Sequence, residues 1–577
     1  MKVLLIHPED NLPSGGRWDL IVDFGRCPAT TYERWSKQTG AAVTSIYDFA
    51  EGTTDLRLCR TLVASGMGFL VDEHGIDWWD VLSLRLVPDL QQLILLDRLL
   101  RSIEVPAQIS ATRQLRYSRF LQERLKAKLQ ILEEPWVLTR HVRHYWQAFT
   151  RLDRVQVAQI LQDKFDRHHT IRRMFGTKRS HANHGVILLP SAYVNVSRMA
   201  VRYAELLPEQ NFLLVSTRRS GQLQSLPENV ASASLDPYFT PRAVPDTRLM
   251  HGWSLLRKRL LETEPIFKAA EDCGILEVVA SDLQWSLRSR DAWINVLDHE
   301  NVMGCFCADD SNPYTRIALL LTKAHGLPTV VCHHGALDYW MAFKNLAADC
   351  YLAKTALERD YLIKRCGLAR RKVVQAGPNR PIACIGRKEQ TRNWIVWFTE
   401  GYQAAGWRST EVYRDLLPPL YSLAQSRGLK LVMKLHPFDS VRDHRHKLRS
   451  ILKTETEDVQ IIGGPIGPDL WRNACFALTA ESSLALECAA RGIPIFLCEW
   501  LRDCYSGYGE QYTKFGVGIP LQSSGQIREI PDLLAGHRIC HVPTEQSIEP
   551  EVLQSLFSGA TNRESRLSAQ TLAACST

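Results

Sequence analysis

The sequence predicts an α/β protein with two doubly wound Rossmann-like domains and a helical N-terminal layer, and three observations carry that expectation. The chain has 577 residues, more than the roughly 250–300 at which a single core stops growing. Hydrophobic residues make up 45% and charged residues 23%, so apolar material suffices for more than one core. Short apolar runs alternate with amphipathic segments in units of about 30 residues, as parallel strands joined by covering helices do.

Residues 1–75 read as an α/β segment, with "KVLLI", "DLIVDF" and "AAVTSIYDF" as its strands. Residues 76–180 turn amphipathic and basic, and read as a helical insertion with almost no strand signals. Residues 181–385 form one Rossmann-like domain, the acceptor side, with "HGVILLP", "NFLLVS", "VMGCFC", "PTVVCHHG" and "DCYLA" as strands. The polar stretch "NRPIACIGRKEQTRN" links it to a second domain over 386–540, whose strands are "WIVWF", "LKLVMKL", "VQIIG", "ACFALTA", "IPIFLCE" and "GVGIP". Residues 541–577 are a C-terminal helix and a polar tail that is expected to fray.

Composition excludes several classes. The opening "MKVLLIHPEDN" meets a histidine, a proline and two acids before a signal-type apolar region is complete, and no run reaches the ~18 apolar residues of a membrane span. A cytoplasmic protein is expected. Fifteen cysteines lie scattered without a CxxC pair, which reads as buried reduced thiols and no metal site. The net charge of +8 suits anionic ligands or a membrane surface and is too small to imply nucleic acid. Its excess sits between residues 98 and 180, in "RQLRYSRFLQERLKAKLQ" and "DRHHTIRRMFGTKRS". This is either a solvated helical face or a peripheral dock for anionic lipid or a polyanionic acceptor.

Ligands of doubly wound sheets bind beyond the carboxyl ends of the strands, and four segments fall there. In "LVMKLHPFDS", Pro437 ends a strand because it lacks the ladder N–H. His436 is thereby held at the strand end, where an imidazole can bind a phosphate or protonate a departing one. Lys434 shares its face by the period of two. In "TAESSLALECAARGIPIF", Ser482 or Ser483 opens a helix whose hydroxyls and N–H groups suit a phosphate, or simply cap the helix. Glu487, about a turn further, is placed to reach a ribose hydroxyl. In "VWFTEGYQ", Glu400 before Gly401 is either a general base or an exposed loop glutamate. In "CADDSNPYTR" and "VVCHHGALDYW", Asp309, Asp310, His333 and His334 follow neighbouring strands and suit an acceptor hydroxyl, while Asn312 and Pro313 start a helix. By contrast, "DHRHK" reads as a solvated helical face, and "GGPIGP" lacks the lysine of a phosphate-binding loop.

Together "KLHP", "ESSLALECAARGIP" and "VVCHHG" resemble the two-domain GT-B glycosyltransferases of bacterial surface-polysaccharide synthesis. The likeness is to the capsule and lipopolysaccharide group with sialyl-, Kdo- and polyol-phosphate transferases, and it covers roughly residues 186–530. An acidic-acidic-glycine motif, an HP motif and an SS motif recur there in that order, which Glu400-Gly401, His436-Pro437 and Ser482-Ser483 keep. The resemblance implies Glu400 as base on the acceptor, His436 at the departing nucleotide phosphate and the serines holding it. Thr399 departs from the pattern, standing where the family often has a second acid, so His334 is the reserve base. The implied partners are a nucleotide-sugar, with CMP or UDP as nucleotide, and a saccharide or lipid-linked acceptor, with no further cofactor. A nucleotide-sugar 2-epimerase, a CDP-polyol phosphotransferase and a non-catalytic assembly subunit are the alternatives.

Overall fold

The computed structural model describes residues 1–103, 108–126, 129–132, 185–218, 221–223, 225–240, 246–337, 341, 344–378, 392–403, 405–436, 439–453, 459–502, 505, 507–536 and 547–558. Among them three sheets form, each entirely parallel. The first comprises β1 (Lys2–Ile6), β2 (Leu20–Asp23), β3 (Ala42–Ser45), β4 (Gln108–Ala111) and β5 (Leu129–Ile131), in the order β3-β2-β1-β4-β5. The second comprises β6 (Val186–Ser191), β7 (Phe212–Ser216), β8 (Val230–Ser234), β9 (Val302–Cys307), β10 (Thr329–Val331), β11 (Cys350–Ala353) and β12 (Val373–Gln375), in the order β12-β11-β10-β9-β6-β7-β8. The third comprises β13 (Trp394–Phe398), β14 (Lys430–Lys434), β15 (Val459–Ile462), β16 (Ala474–Thr479), β17 (Ile495–Cys498) and β18 (Ile519–Leu521), in the order β15-β14-β13-β16-β17-β18.

Each sheet begins at its centre, adds two strands to one side and then crosses to the other. The chain direction therefore splits between β1 and β4, β6 and β9, and β13 and β16, which opens a crevice at those carboxyl ends. The second and third sheets are the two doubly wound bodies expected. Their central strands are apolar throughout because helices cover both faces: all six residues of β6 are buried, as are Ile395–Phe398 of β13.

The helical insertion expected over 76–180 needs correction. Its helix is present as Trp79–Ser102, but β4 and β5 also lie in it and complete the first sheet, a doubly wound body of its own. Strands of four and three residues carry too few side chains to show a period of two; pairing of β4 with the buried β1, and of β5 with β4, stabilises them instead. The helix Trp79–Ser102 is buried on most of its circumference, because helices of the second sheet's unit, Pro265–Asp272, Glu277–His299 and Pro313–Ala324, pack on it. Arg316 Nη2 reaches Asp80 at 2.8 Å across that contact. Two further readings shift locally. "AAVTSIYDF" is a strand only to Ser45, whose hydroxyl accepts from Tyr47 N and starts a 3-10 turn over Ile46–Phe49. "WSLLRKRLLETEPIFKAA" breaks into two helices at Glu264, before Pro265.

The first sheet docks on the third through its strand ends. Arg408, which precedes the helix Ser409–Ser426, donates to Asp23 (Nη2–Oδ1 2.6 Å) and to the carbonyls of His7 (2.8 Å) and Pro8 (2.8 Å), all at the carboxyl ends of β1 and β2. The helix Pro550–Ser555 returns to the second sheet's core through Leu553 and Leu556. The link expected over 380–392 and the tail beyond 558 lie, but for Arg392, outside the described residues.

The basic segment is largely paired where it is described. Arg98 meets Asp55, Arg113 meets Glu9 and Asp10, Arg116 meets Asp89, and Arg124 meets Asp97. The excess charge there braces the first sheet, and the lipid dock expected of "DRHHTIRRMFGTKRS" falls outside the described residues. No helix among the described residues is long and apolar enough to cross a membrane. Nine of the eleven described cysteines are buried and none forms a disulfide.

Candidate active site

Three adjacent strands of the third sheet, β14, β13 and β16, bring His436, Glu400 and Ser482 to one edge. The Thr399 hydroxyl accepts the His436 N–H at 3.1 Å, and the next residue, Glu400, turns the other way to β16. There a single oxygen, Glu400 Oε1, accepts from Thr479 Oγ1 (2.5 Å) and from the N–H groups of Ala480 (2.8 Å), Glu481 (2.8 Å) and Ser482 (3.2 Å).

This corrects two expectations. Glu400 is not the exposed loop glutamate the sequence allows: its Oε1 is seated in a cradle of four donors. The cradle expected to hold phosphate holds Glu400. The helix also starts later than expected, at Leu484, and is only seven residues long. Ser483 is already helical and makes no side-chain cap, while the Ser482 hydroxyl accepts from Leu484 N at 3.3 Å. Glu487 lies 3.6 Å from Arg491 on its own helix, and Arg491 covers the Trp471 ring at 4.4 Å. Its expected reach to a ribose competes with that pair.

On the β14 side, Lys434 is buried and donates from Nζ to the Leu435 carbonyl at 2.7 Å. Burial pushes its pKa down, against the pull of Asp439. His436 is also lowered, first by burial and then by the Lys434 charge, so the imidazole is a neutral hydrogen-bonding group until an anion arrives. Pro437 lies outside the described residues.

The layer beneath His436 carries no sequence signal of its own. Asp439 Oδ2 lies 3.2 Å from the Thr399 hydroxyl, and His444 Nε2 lies 3.6 Å from Asp439. "DHRHK" is thus solvated at Arg445 and His446 but not at His444, which is 3% exposed and donates from Nδ1 to the Ser440 carbonyl at 2.7 Å. The spacing Val441, His444, Leu448 marks the inward face of that helix. Burial, then Lys447, pushes His444 down to about 4. The folded protein keeps this ring neutral while the unfolded chain protonates it near 6.5. Its stabilising contribution is therefore complete above pH ~6.5 and is lost as pH falls through about 4. Between pH 7 and pH 4.5 the wild type should lose about 2–3 kcal/mol through this ring alone. His444→Gln should lose correspondingly less over the same interval, as measured by equilibrium unfolding. Equal losses in both proteins refute this.

In the second sheet, β9 and β10 are neighbours, and their ends bring Asp309 and Asp310 beside His333 and His334. Asp310 and His333 are not open to an acceptor. Asp310 is fully buried between Lys344 and Arg316, the latter at 3.3 Å. His333 is 6% exposed, its ring stacked on His334 at 4.9 Å, and burial pushes it down to about 3. Both are scaffold. Asp309 accepts from Ser311 N (2.8 Å) and Asn312 Nδ2 (3.0 Å), and Asn312 in turn caps the helix Pro313–Ala324. Burial alone would raise the Asp309 carboxyl; the His334, His333 and Lys344 charges outweigh it and hold it low. His334 is lowered by burial, against Asp309. Its Nδ1 is buried with no hydrogen-bond partner among the described residues.

The two strand-end clusters face each other. Lys354 Nζ donates to the His333 and Gly335 carbonyls (3.1 and 2.8 Å) and lies 3.1 Å from Glu358. Glu358 is on the helix Ala356–Lys364, whose Tyr361 packs edge-on against Tyr508 at 5.3 Å. Tyr508 meets Tyr512 at 5.2 Å, and the Tyr512 hydroxyl donates to the Ser482 carbonyl at 3.1 Å. Lys514 pairs with Asp360 across the same contact. Three buried tyrosines thus join the helix Ala356–Lys364 to the turn at Ser482.

No family model and no curated protein matches the chain. Among solved structures it is similar to MnaA of S. aureus, seen with UDP, at TM-score 0.40 and 11% identity over 64% of this chain and 94% of that one. It is similar to MurG of Acinetobacter baumannii at TM-score 0.36 and 11% identity over 66% and 94%. It is also similar to the wall teichoic acid polymerase TagF at TM-score 0.34 and 9% identity over 74% and 99%.

Proposed function

We propose that this chain is a glycosyltransferase that moves a sugar from a nucleotide-activated donor to a saccharide or lipid-linked acceptor, of the kind that builds bacterial surface polysaccharide. The observation that carries the reading is His334: a partly exposed imidazole at the end of β10, stacked on His333 at 4.9 Å and beside the Asp309 carboxylate, with burial holding it below the usual histidine range. A ring kept unprotonated, with a carboxylate beside it to balance the imidazolium that forms, is what a general base needs.

In this reading the donor phosphate lies against His436 and Lys434. The acceptor O–H gives its proton to His334 as its oxygen bonds to the anomeric carbon. The bond from that carbon to the phosphate oxygen breaks, its electron pair stays on the nucleotide, and Asp309 balances the imidazolium. The phosphate gains negative charge as this happens, and donors already in place at His436 and Lys434 lower the barrier. Glu400 takes no proton; it holds the 479–482 turn in shape.

A thermal-shift panel of CMP, CDP, UDP and GDP tests this. The cognate nucleotide at a hundred times its Kd stabilises the protein by ~2.7 kcal/mol, and His436→Ala weakens that response. Stabilisation by none of the four favours the non-catalytic alternative. Turnover of a nucleotide-sugar to its epimer without any acceptor favours the 2-epimerase.

A further inference from the structure

We infer that Lys354 is a positioning residue of the site: its ammonium, held by Glu358, fixes the backbone on both sides of His334 and so sets the direction in which that ring meets the acceptor. The inference rests on the reading of His334 as the base. β11 lies beside β10, with Val331 opposite Tyr351, so the residue that follows β11 stands next to the loop that follows β10. That residue is Lys354. Its Nζ donates to the carbonyl before His334, that of His333, at 3.1 Å, and to the carbonyl after it, that of Gly335, at 2.8 Å. The peptide groups that bracket His334 and Gly335 are thereby drawn to one point, beyond Val331, where β10 and its pairing end.

Lys354 is itself anchored. Thr355 Oγ1 accepts from Glu358 N at 3.3 Å and caps the helix Ala356–Lys364, while Glu358 Oε2 turns back to accept from Lys354 N at 2.7 Å. This is the reciprocal pattern of a capping box, displaced by one residue. The other oxygen, Oε1, lies 3.1 Å from Nζ. Lys354 is 6% exposed and Glu358 2%. Burying two charges carries a desolvation penalty that their attraction does not always repay, and an apolar pair of similar size is often as stable. Stability alone therefore gives little reason for a cation here, whereas a clamp on two carbonyls needs N–H donors. An ammonium has three, and two carbonyls and a carboxylate face them, so Lys354 shapes the site and takes no ligand itself.

The charge of Lys354 has a second consequence. Asp309, at the end of β9, favours the His334 imidazolium and Lys354 opposes it, while His333 is stacked on the ring at 4.9 Å. Lys344 acts further back, on Asp309 and His333. Lys354 thus adds to burial in keeping the base unprotonated, and removing its charge moves the titration of His334 upward.

Lys354→Met alone leaves Glu358 buried without its partner, so the test combines it with Glu358→Gln, which leaves no charge unpaired and keeps an acceptor for the backbone N–H of residue 354. Cooperative thermal unfolding and a wild-type response to the cognate nucleotide show this double variant folded, with its donor side intact. Its kcat should fall by roughly 10–100-fold while the donor KM stays within about 3-fold of wild type, because the base is misaimed and the donor contacts remain. The acid limb of log kcat should move to higher pH, and an NMR titration of the His334 ring should show the same upward displacement without any turnover. Lys354→Arg, which keeps the charge, should leave that titration near its wild-type position and lose less of kcat. A double variant with wild-type kcat, or with an unmoved His334 titration, overturns the inference. A wild type without an acid limb, or His334→Ala turning over at the wild-type rate, instead overturns the reading of His334 as the base.

Discussion

Replacing His334 with alanine lowers kcat by roughly 10²–10⁴-fold, whereas Glu400→Gln lowers it by less than about 10-fold. The contrast comes from where the two side chains sit. Glutamine keeps an oxygen for the N–H groups of Ala480, Glu481 and Ser482, so the turn survives and only the charge is lost. Glu400→Ala removes the acceptor and costs more, because those donors are then unsatisfied. The pH profile separates the roles. Burial holds His334 below the usual histidine range, so the ring is neutral at neutral pH. Log kcat should be level through neutrality and fall with unit slope only as pH drops through the lowered value. That acid limb should persist in Glu400→Gln. If Glu400→Gln instead abolishes activity and removes the limb, Glu400 is the base and His334 is not.

The contrast also shows what sequence makes legible. Strands such as "VILLPS", "VMGCFC" and "WIVWF" announce themselves because both their faces are buried, so the two main sheets and the strand ends bearing His334, His436 and Glu400 are readable from pattern alone. β4, β5, β8 and β12 are not: "QISA", "LQI", "VASAS" and "VVQ" are strands because a neighbour pairs with them. The far half of the N-terminal sheet is hidden for that reason. Side-chain roles fail where the partner is distant in sequence. Nothing local in "TEGY" says that its glutamate fills the turn at 479–482, nor that Lys344 and Arg316 enclose Asp310. Thr399 looks like a lost acid in the sequence, yet its hydroxyl anchors the His436 backbone.

Arg408→Ala destabilises the protein by about 3–5 kcal/mol, because it leaves Asp23 buried and uncompensated. Asp23 is 0% exposed, and Arg408 meets its carboxylate through both Nε and Nη2. The remaining guanidinium donors close the carbonyls of His7, Pro8 and Asp10, so the protein itself fills the space at the carboxyl ends of β1 and β2. Arg408 also closes the loop that leaves β13 through Glu400, so the first sheet works as a brace on the segment that shapes the 479–482 turn. Equilibrium unfolding measures the loss, and limited proteolysis should show the 401–408 loop cut first. Replacing both partners by apolar residues, Arg408→Met with Asp23→Leu, should recover much of the stability, since no charge is then left unpaired. The recovered protein should still turn over more slowly than wild type, because a methionine cannot bind the three carbonyls that fix the loop. A single Arg408→Ala substitution that shifts stability by less than about 1 kcal/mol would show that water compensates Asp23 and that the first sheet is held by other contacts.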